Sequence, residues 1–145
     1  YDAEHDVMDL HTSITPGITG TIEYLVDENS TARSLVSGTV EVLGTPALIR
    51  LMEAAAVQAL EGRLPPGSTT VGAYIAVHHT APTPVGMRVR VTATVSAVEG
   101  RRITFDLVAH DEVEPIGHGT HQRVLVDMER FTANALRKRA GQEAG

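Results

Sequence analysis

Apolar and polar positions divide the chain into one early strand, one apolar helix and four later strands. Ile18, Gly20, Ile22, Tyr24 and Val26 alternate with Thr19, Thr21, Glu23 and Leu25, which predicts a strand over 18–26. Asp27-Glu28-Asn29-Ser30 reads as a turn. The stretch 31–43 holds a brief alternation, Thr39-Val40-Glu41-Val42, with no clear partner, and is expected to be a covering loop or short strand. From Ala47 to Leu60 the period becomes helical. Thr45 is placed to cap this helix, Pro46 suits its first position, and Glu61-Gly62 followed by Pro65-Pro66-Gly67 ends it. Arg50, Glu53 and Gln58 are its main polar residues, so burial on several sides is expected.

Four strand signals follow. The first spans Val71 to Ala81 and stops at Pro82-Thr83-Pro84. Met87 to Ser96 alternates without a break, and Glu99-Gly100 turns the chain back into Ile103, Phe105, Leu107 and Ala109, which predicts a hairpin. Ile116 to Val126 reads as the last strand and Phe131 to Lys138 as a short helix. The pattern implies a single α+β domain over 1–145, with 1–15 loose at the periphery and 129–145 a C-terminal helix and tail. An antiparallel sheet must cover its apolar face, and one apolar helix is available, so a curved sheet wrapped around that helix is the economical solution. Such a sheet leaves an edge and some apolar surface open, which predicts a homodimer.

Composition narrows the chemistry. With 12 Lys and Arg against 18 Asp and Glu, the net charge is −6, which argues against nucleic acid as the main partner. The absence of cysteine excludes disulfides, thiolate metal sites and a cysteine nucleophile. No apolar run approaches a membrane span and no signal peptide is visible, so a cytoplasmic protein without membrane contact is expected.

One carboxylate stands out. Glu53 shares a helical stripe with Ile49, Ala56 and Leu60, where an unpaired charge is costly. Strand phase separates the two neighbouring histidines: His79 shares a face with Ala73, Ile75, Val77 and Ala81, whereas His78 lies opposite. A sheet wrapped on the helix would let His79 meet Glu53 or Thr45, placing hydroxyl, imidazole and carboxylate in one crevice suited to acyl transfer or hydrolysis. Plainer readings stand beside this: Thr45 as a helix cap, Glu53 paired with Arg50, His79 as a bonded core histidine. His118 and His121 also point to opposite faces, so neither histidine pair chelates a metal alone, and no metal site is expected.

Gly44-Thr45-Pro46, Leu51-Met52-Glu53-Ala54, the run from Gly72 to Pro84, Val98-Glu99-Gly100-Arg101-Arg102, Ala109-His110-Asp111 and Ile116 to Arg123 together resemble the fluoroacetyl-CoA thioesterase family of hotdog-fold proteins. The resemblance covers roughly 44–131. It implies a hotdog fold paired into a dimer, and hydrolysis of a small acyl-CoA with coenzyme A as part of the substrate and no further cofactor. It also implies that Thr45, Glu53 and His79 are catalytic, that the Gly72 amide holds the thioester carbonyl, and that Arg123 serves the substrate. The family's phenylalanine-rich lid is replaced here by Val36-Ser37-Gly38-Thr39-Val40-Glu41-Val42-Leu43, which points to a differently tuned acyl-CoA preference. A non-catalytic acyl-CoA-binding protein and an enoyl-CoA hydratase or dehydratase are the alternatives.

Overall fold

In a computed structural model, residues 10–144 other than Thr12 are described. The elements are β1 (Thr19–Leu25), a 3-10 turn (Glu28–Ser30), α1 (Thr45–Ala59), β2 (Ser68–His79), β3 (Arg88–Glu99), β4 (Arg102–Asp111), β5 (Pro115–Asp127) and α2 (Met128–Ala144). The order matches the sequence reading. The last helix is longer than expected, and α1 ends at Ala59 with Leu60 as its cap, short of Glu61-Gly62. The peripheral placement expected for 1–15 falls largely on residues outside those described. Leu10 and Ile14 are described, and both are buried in the core.

The five strands form one sheet in the order β1-β3-β4-β5-β2, with every neighbouring pair antiparallel. The inward positions follow the alternation: Val89, Val91, Ala93 and Val95 on β3, and Ile103, Phe105, Leu107 and Ala109 on β4, are buried. They pack against Ala47, Leu48, Leu51, Met52, Ala55, Ala56 and Ala59 of α1. Burial on several sides is not what α1 shows. The sheet covers one face, while Ile49, Glu53 and Ala54 are half-buried and Val57 and Gln58 exposed. Glu53 therefore sits on the shoulder of the apolar stripe rather than inside it.

Close approach of helix and sheet depends on Gly20 in β1, where a Cβ would run into the Ala55 carbonyl and the Ala59 amide. Gln58 covers part of this edge strand by accepting the Thr21 amide at 2.6 Å. The segment 31–43 is a covering loop with two isolated bridges, Thr31 to Leu43 and Val42 to Pro84. Among the described residues, no helix is long and apolar enough to cross a membrane.

Candidate active site

Two polar clusters lie where α1 meets β2, one at each end of the contact. The first joins Thr45 to His79. Gly44 is the N-cap of α1 and supplies no side chain, so Thr45 is the first helical residue and not the expected cap. Its hydroxyl lies 2.8 Å from His79 Nδ1, at the end of β2. His79 Nε2 is buried and has no partner among the described residues. Burial pushes the imidazole's pKa down, favouring the neutral base. Both side chains open on a cavity of about 290 Å³ walled by Ala32, Val42, Leu43, Ala81 and Pro82. The covering loop thus shapes this cavity without an aromatic residue.

The second cluster gathers around Glu53. Its Oε2 is 3.8 Å from an Arg123 guanidinium nitrogen, so its partner is Arg123 and not Arg50. Arg123 is buried in β5 and also donates through Nε to Thr70 Oγ1 at 2.9 Å and through Nη2 to the Thr70 carbonyl at 3.0 Å. Nη1, the nitrogen nearest Glu53, lies 3.2 Å from His121 Nε2, and His121 Nδ1 reaches the Tyr74 carbonyl at 2.8 Å. Burial pulls the Arg123 pKa down and Glu53 opposes it; an arginine stays charged regardless. Gly72 closes the cluster: a Cβ there would stand 3.3 Å from Glu53 Oε2 and 3.5 Å from His121 Cε1. A Cβ would press on the end of the Glu53 side chain, so glycine gives the carboxylate its present seat against the β2 backbone.

The structure therefore joins Thr45 to His79, and Glu53 to Gly72 and Arg123, but leaves the two clusters apart. Thr45 and Glu53 are eight residues apart on α1, about 12 Å of helical rise. A bulge in β2 brings their strand partners, Gly72 and His79, onto one face. Gly72 and His79 are seven positions apart, which puts them on opposite faces of a regular strand. The register shift between Gly72 and Tyr74 restores the parity, so both face α1. His78 stays on the outer face, as expected, and stacks on His118 with ring centroids 5.0 Å apart.

His121 and Thr70 are the residues that sequence reasoning missed. The signal was available in β5, where His121 and Arg123 share the inward phase with Leu125, two polar side chains at core positions.

A family model described as fluoroacetyl-CoA-specific thioesterase (FlK) matches residues 26–129. The chain belongs to this family. The fluoroacetyl-CoA thioesterase of Streptantibioticus cattleyicolor is 45% identical over 98 residues, which are 68% of this chain and 70% of that protein. A solved structure of the fluoroacetyl-CoA thioesterase FlK aligns with a TM-score of 0.81 at 38% identity, covering 86% of this chain and 97% of that one. A thioesterase-superfamily member from Thermus thermophilus aligns at 0.85 with 28% identity, covering 91% and 98%. The α+β architecture is accordingly the hotdog fold: a curled antiparallel sheet with its helix in the concave face.

Acid should weaken the fold. Burial holds His79 and His121 below the ordinary imidazole pKa, and Arg123 adds to this at His121 against the opposing Tyr74 carbonyl and Glu53. Below about pH 6.5 the unfolded chain binds protons that the folded histidines refuse, so stability falls as pH drops toward their lowered values. Urea midpoints should be higher at about pH 7.5 than at about pH 5, and His79→Gln should reduce that difference. An unchanged difference would remove His79 from the explanation.

Proposed function

We propose that the protein hydrolyses small acyl-CoA thioesters to a free acid and coenzyme A, with Thr45, Glu53 and His79 as catalytic residues and Gly72 and Arg123 on the substrate. The observation that carries this reading is the Thr45–His79 pair, at hydrogen-bond distance on the wall of an apolar cavity, with the second imidazole nitrogen buried and unpartnered among the described residues. The acyl group occupies the cavity of one copy and presents its carbonyl to the partner subunit's Gly72 amide, a donor for the developing oxyanion. Glu53, oriented by Arg123, takes a proton from the attacking water. The new C–O bond forms, the C–S bond breaks, and the imidazole of His79 relays the proton that Glu53 accepted to the departing thiolate. Thr45 fixes the imidazole's orientation through Nδ1.

The separation of the clusters within one chain supports a homodimer that completes the site. β2 is a twelve-residue edge strand, a liability unless it is paired. Exposed Tyr74 on β2 and Val57 on α1 lie beside it. Antiparallel pairing of two β2 strands about a twofold axis at Ala76 sets the Gly72–Ala73 bulge opposite the partner subunit's His79. Each copy's Glu53 cluster then faces the other copy's Thr45–His79 cluster. A cytoplasmic location suits an enzyme of coenzyme A esters.

The test is a panel of short, medium and aryl acyl-CoAs assayed for free thiol and for free acid. Equimolar thiol and acid are expected, with short branched or medium acyl groups favoured over fluoroacetyl because the cavity walls are aliphatic. Hydration of an enoyl-CoA without thiol release, or binding without turnover, would contradict the reading.

A further inference from the structure

One buried side chain bonds both to the residue that follows the β2 bulge and to the arginine that pairs with Glu53. His121 is 1% exposed, lies against Phe105 of β4 with ring centroids 6.0 Å apart, and faces β2 across the β5 ladder. Each ring nitrogen has a partner of fixed type. The Tyr74 carbonyl can only accept, so Nδ1 donates to it; the Arg123 guanidinium can only donate, so Nε2 accepts from it. Those two bonds define a neutral imidazole with its proton on Nδ1. An imidazolium would set Nε2–H against an arginine N–H.

We propose that His121 is a positioning residue, whose Nδ1–H clamps the β2 bulge at the Tyr74 carbonyl while Nε2 seats Arg123 and, through it, the Glu53 carboxylate. The inference rests on the hydrolytic reading of Glu53 and Gly72. His121 itself touches no substrate, because both its nitrogens are engaged and the ring is buried. Its reach is nevertheless long. The bulge gives Gly72 and His79 the same face, so losing the clamp lets β2 relax toward a regular register and turns the Gly72 amide away. Losing the Nε2 acceptor frees the arm of Arg123 that lies nearest Glu53. The charged and titratable groups facing the ring are Arg123 from β5 and Glu53 from α1. Phe105 on β4 contributes only packing.

The clamp predicts both a kinetic and a spectroscopic result. His121→Phe keeps the ring volume and the stacking on Phe105 but removes both hydrogen bonds. His121→Asn keeps a donor near Nδ1 but is too short to place an acceptor at the Nε2 position facing Arg123. Both should melt cooperatively. His121→Phe should lose about 100-fold in kcat with KM little changed, the signature of misplaced groups rather than lost binding. His121→Asn should fall between it and wild type. Independently of turnover, nitrogen-15 spectra of the wild-type histidines near neutral pH should show His121 as the neutral Nδ1–H tautomer. Wild-type kcat in His121→Phe overturns the inference while leaving the hydrolase reading intact. An Nε2–H or doubly protonated ring overturns it whatever the activity. If wild-type protein releases no thiol, the hydrolase reading fails, and the tautomer together with the loss of the β2 bulge in His121→Phe still decides the clamp.

Discussion

Equal amounts of Glu53→Gln and His79→Ala protein, unfolded and refolded together, are expected to regain about a quarter of wild-type activity, although neither variant is active alone. The recovery follows from the separation of the clusters. Within one chain, Thr45 and His79 meet at the start of α1, and Glu53 meets Gly72 and Arg123 two turns further on. If pairing of β2 edges brings one copy's Glu53 to the other's His79, a mixed dimer carries both lesions in one site and none in the other. Random assortment makes about half of the dimers mixed, each with one working site of two. A site contained within a single chain would give no recovery at any ratio, and would require Glu53 to reach His79 across the roughly 12 Å of helical rise that separates it from Thr45.

Gly20→Val is expected to destabilise the protein by about 1–3 kcal/mol or more, although valine is the better strand former. The two effects have opposite signs, so the outcome discriminates between them. Propensity rewards a β-branched residue in β1. Packing forbids it, because even the Cβ would overlap the Ala55 carbonyl and Ala59 amide, which are helix backbone and cannot rotate aside. Relief requires α1 to move off the sheet, opening the core around Ala55 and Ala59. Urea unfolding would report a lower midpoint with a similar slope. Equal or greater stability would show that α1 does not lie on β1 as described.

Local pattern made much of this fold legible, and the reasons are physical. The alternation in β3 and β4 is uninterrupted over the hairpin because one face meets α1 and the other solvent, so period alone placed Val91, Phe105 and Leu107 in the core. The same logic chose His79 over His78. It failed where a single residue broke the period. The bulge at Ala73 has no signature in the apolar pattern, since alanine is tolerated on either face, and strict alternation therefore grouped Ala73 with His79 and left Gly72 opposite. Phase also cannot tell which ends of a helix and strand meet. Residues on α1 advance about 1.5 Å each and those on β2 about 3.3 Å, so Thr45 found His79 while Glu53 found Gly72, and a single crevice of three groups did not form in one chain. His121 was visible as a polar residue in an inward phase, but its hydrogen-bond partners come from β2 and from Arg123, which only the register supplies. The role of Thr45 turned on one residue: with Gly44 as the cap, its hydroxyl is left for the imidazole.

The most direct test of the account compares thiol release from one acyl-CoA by wild type, Glu53→Gln and His79→Ala under identical conditions. Wild type should liberate one thiol for each acid formed. Each variant should remain folded and lose about 10²- to 10⁴-fold in kcat, as expected for removal of a group that moves a proton in the transition state. Thiol release at wild-type rate from both variants would contradict the assignment of this site to the hydrolysis.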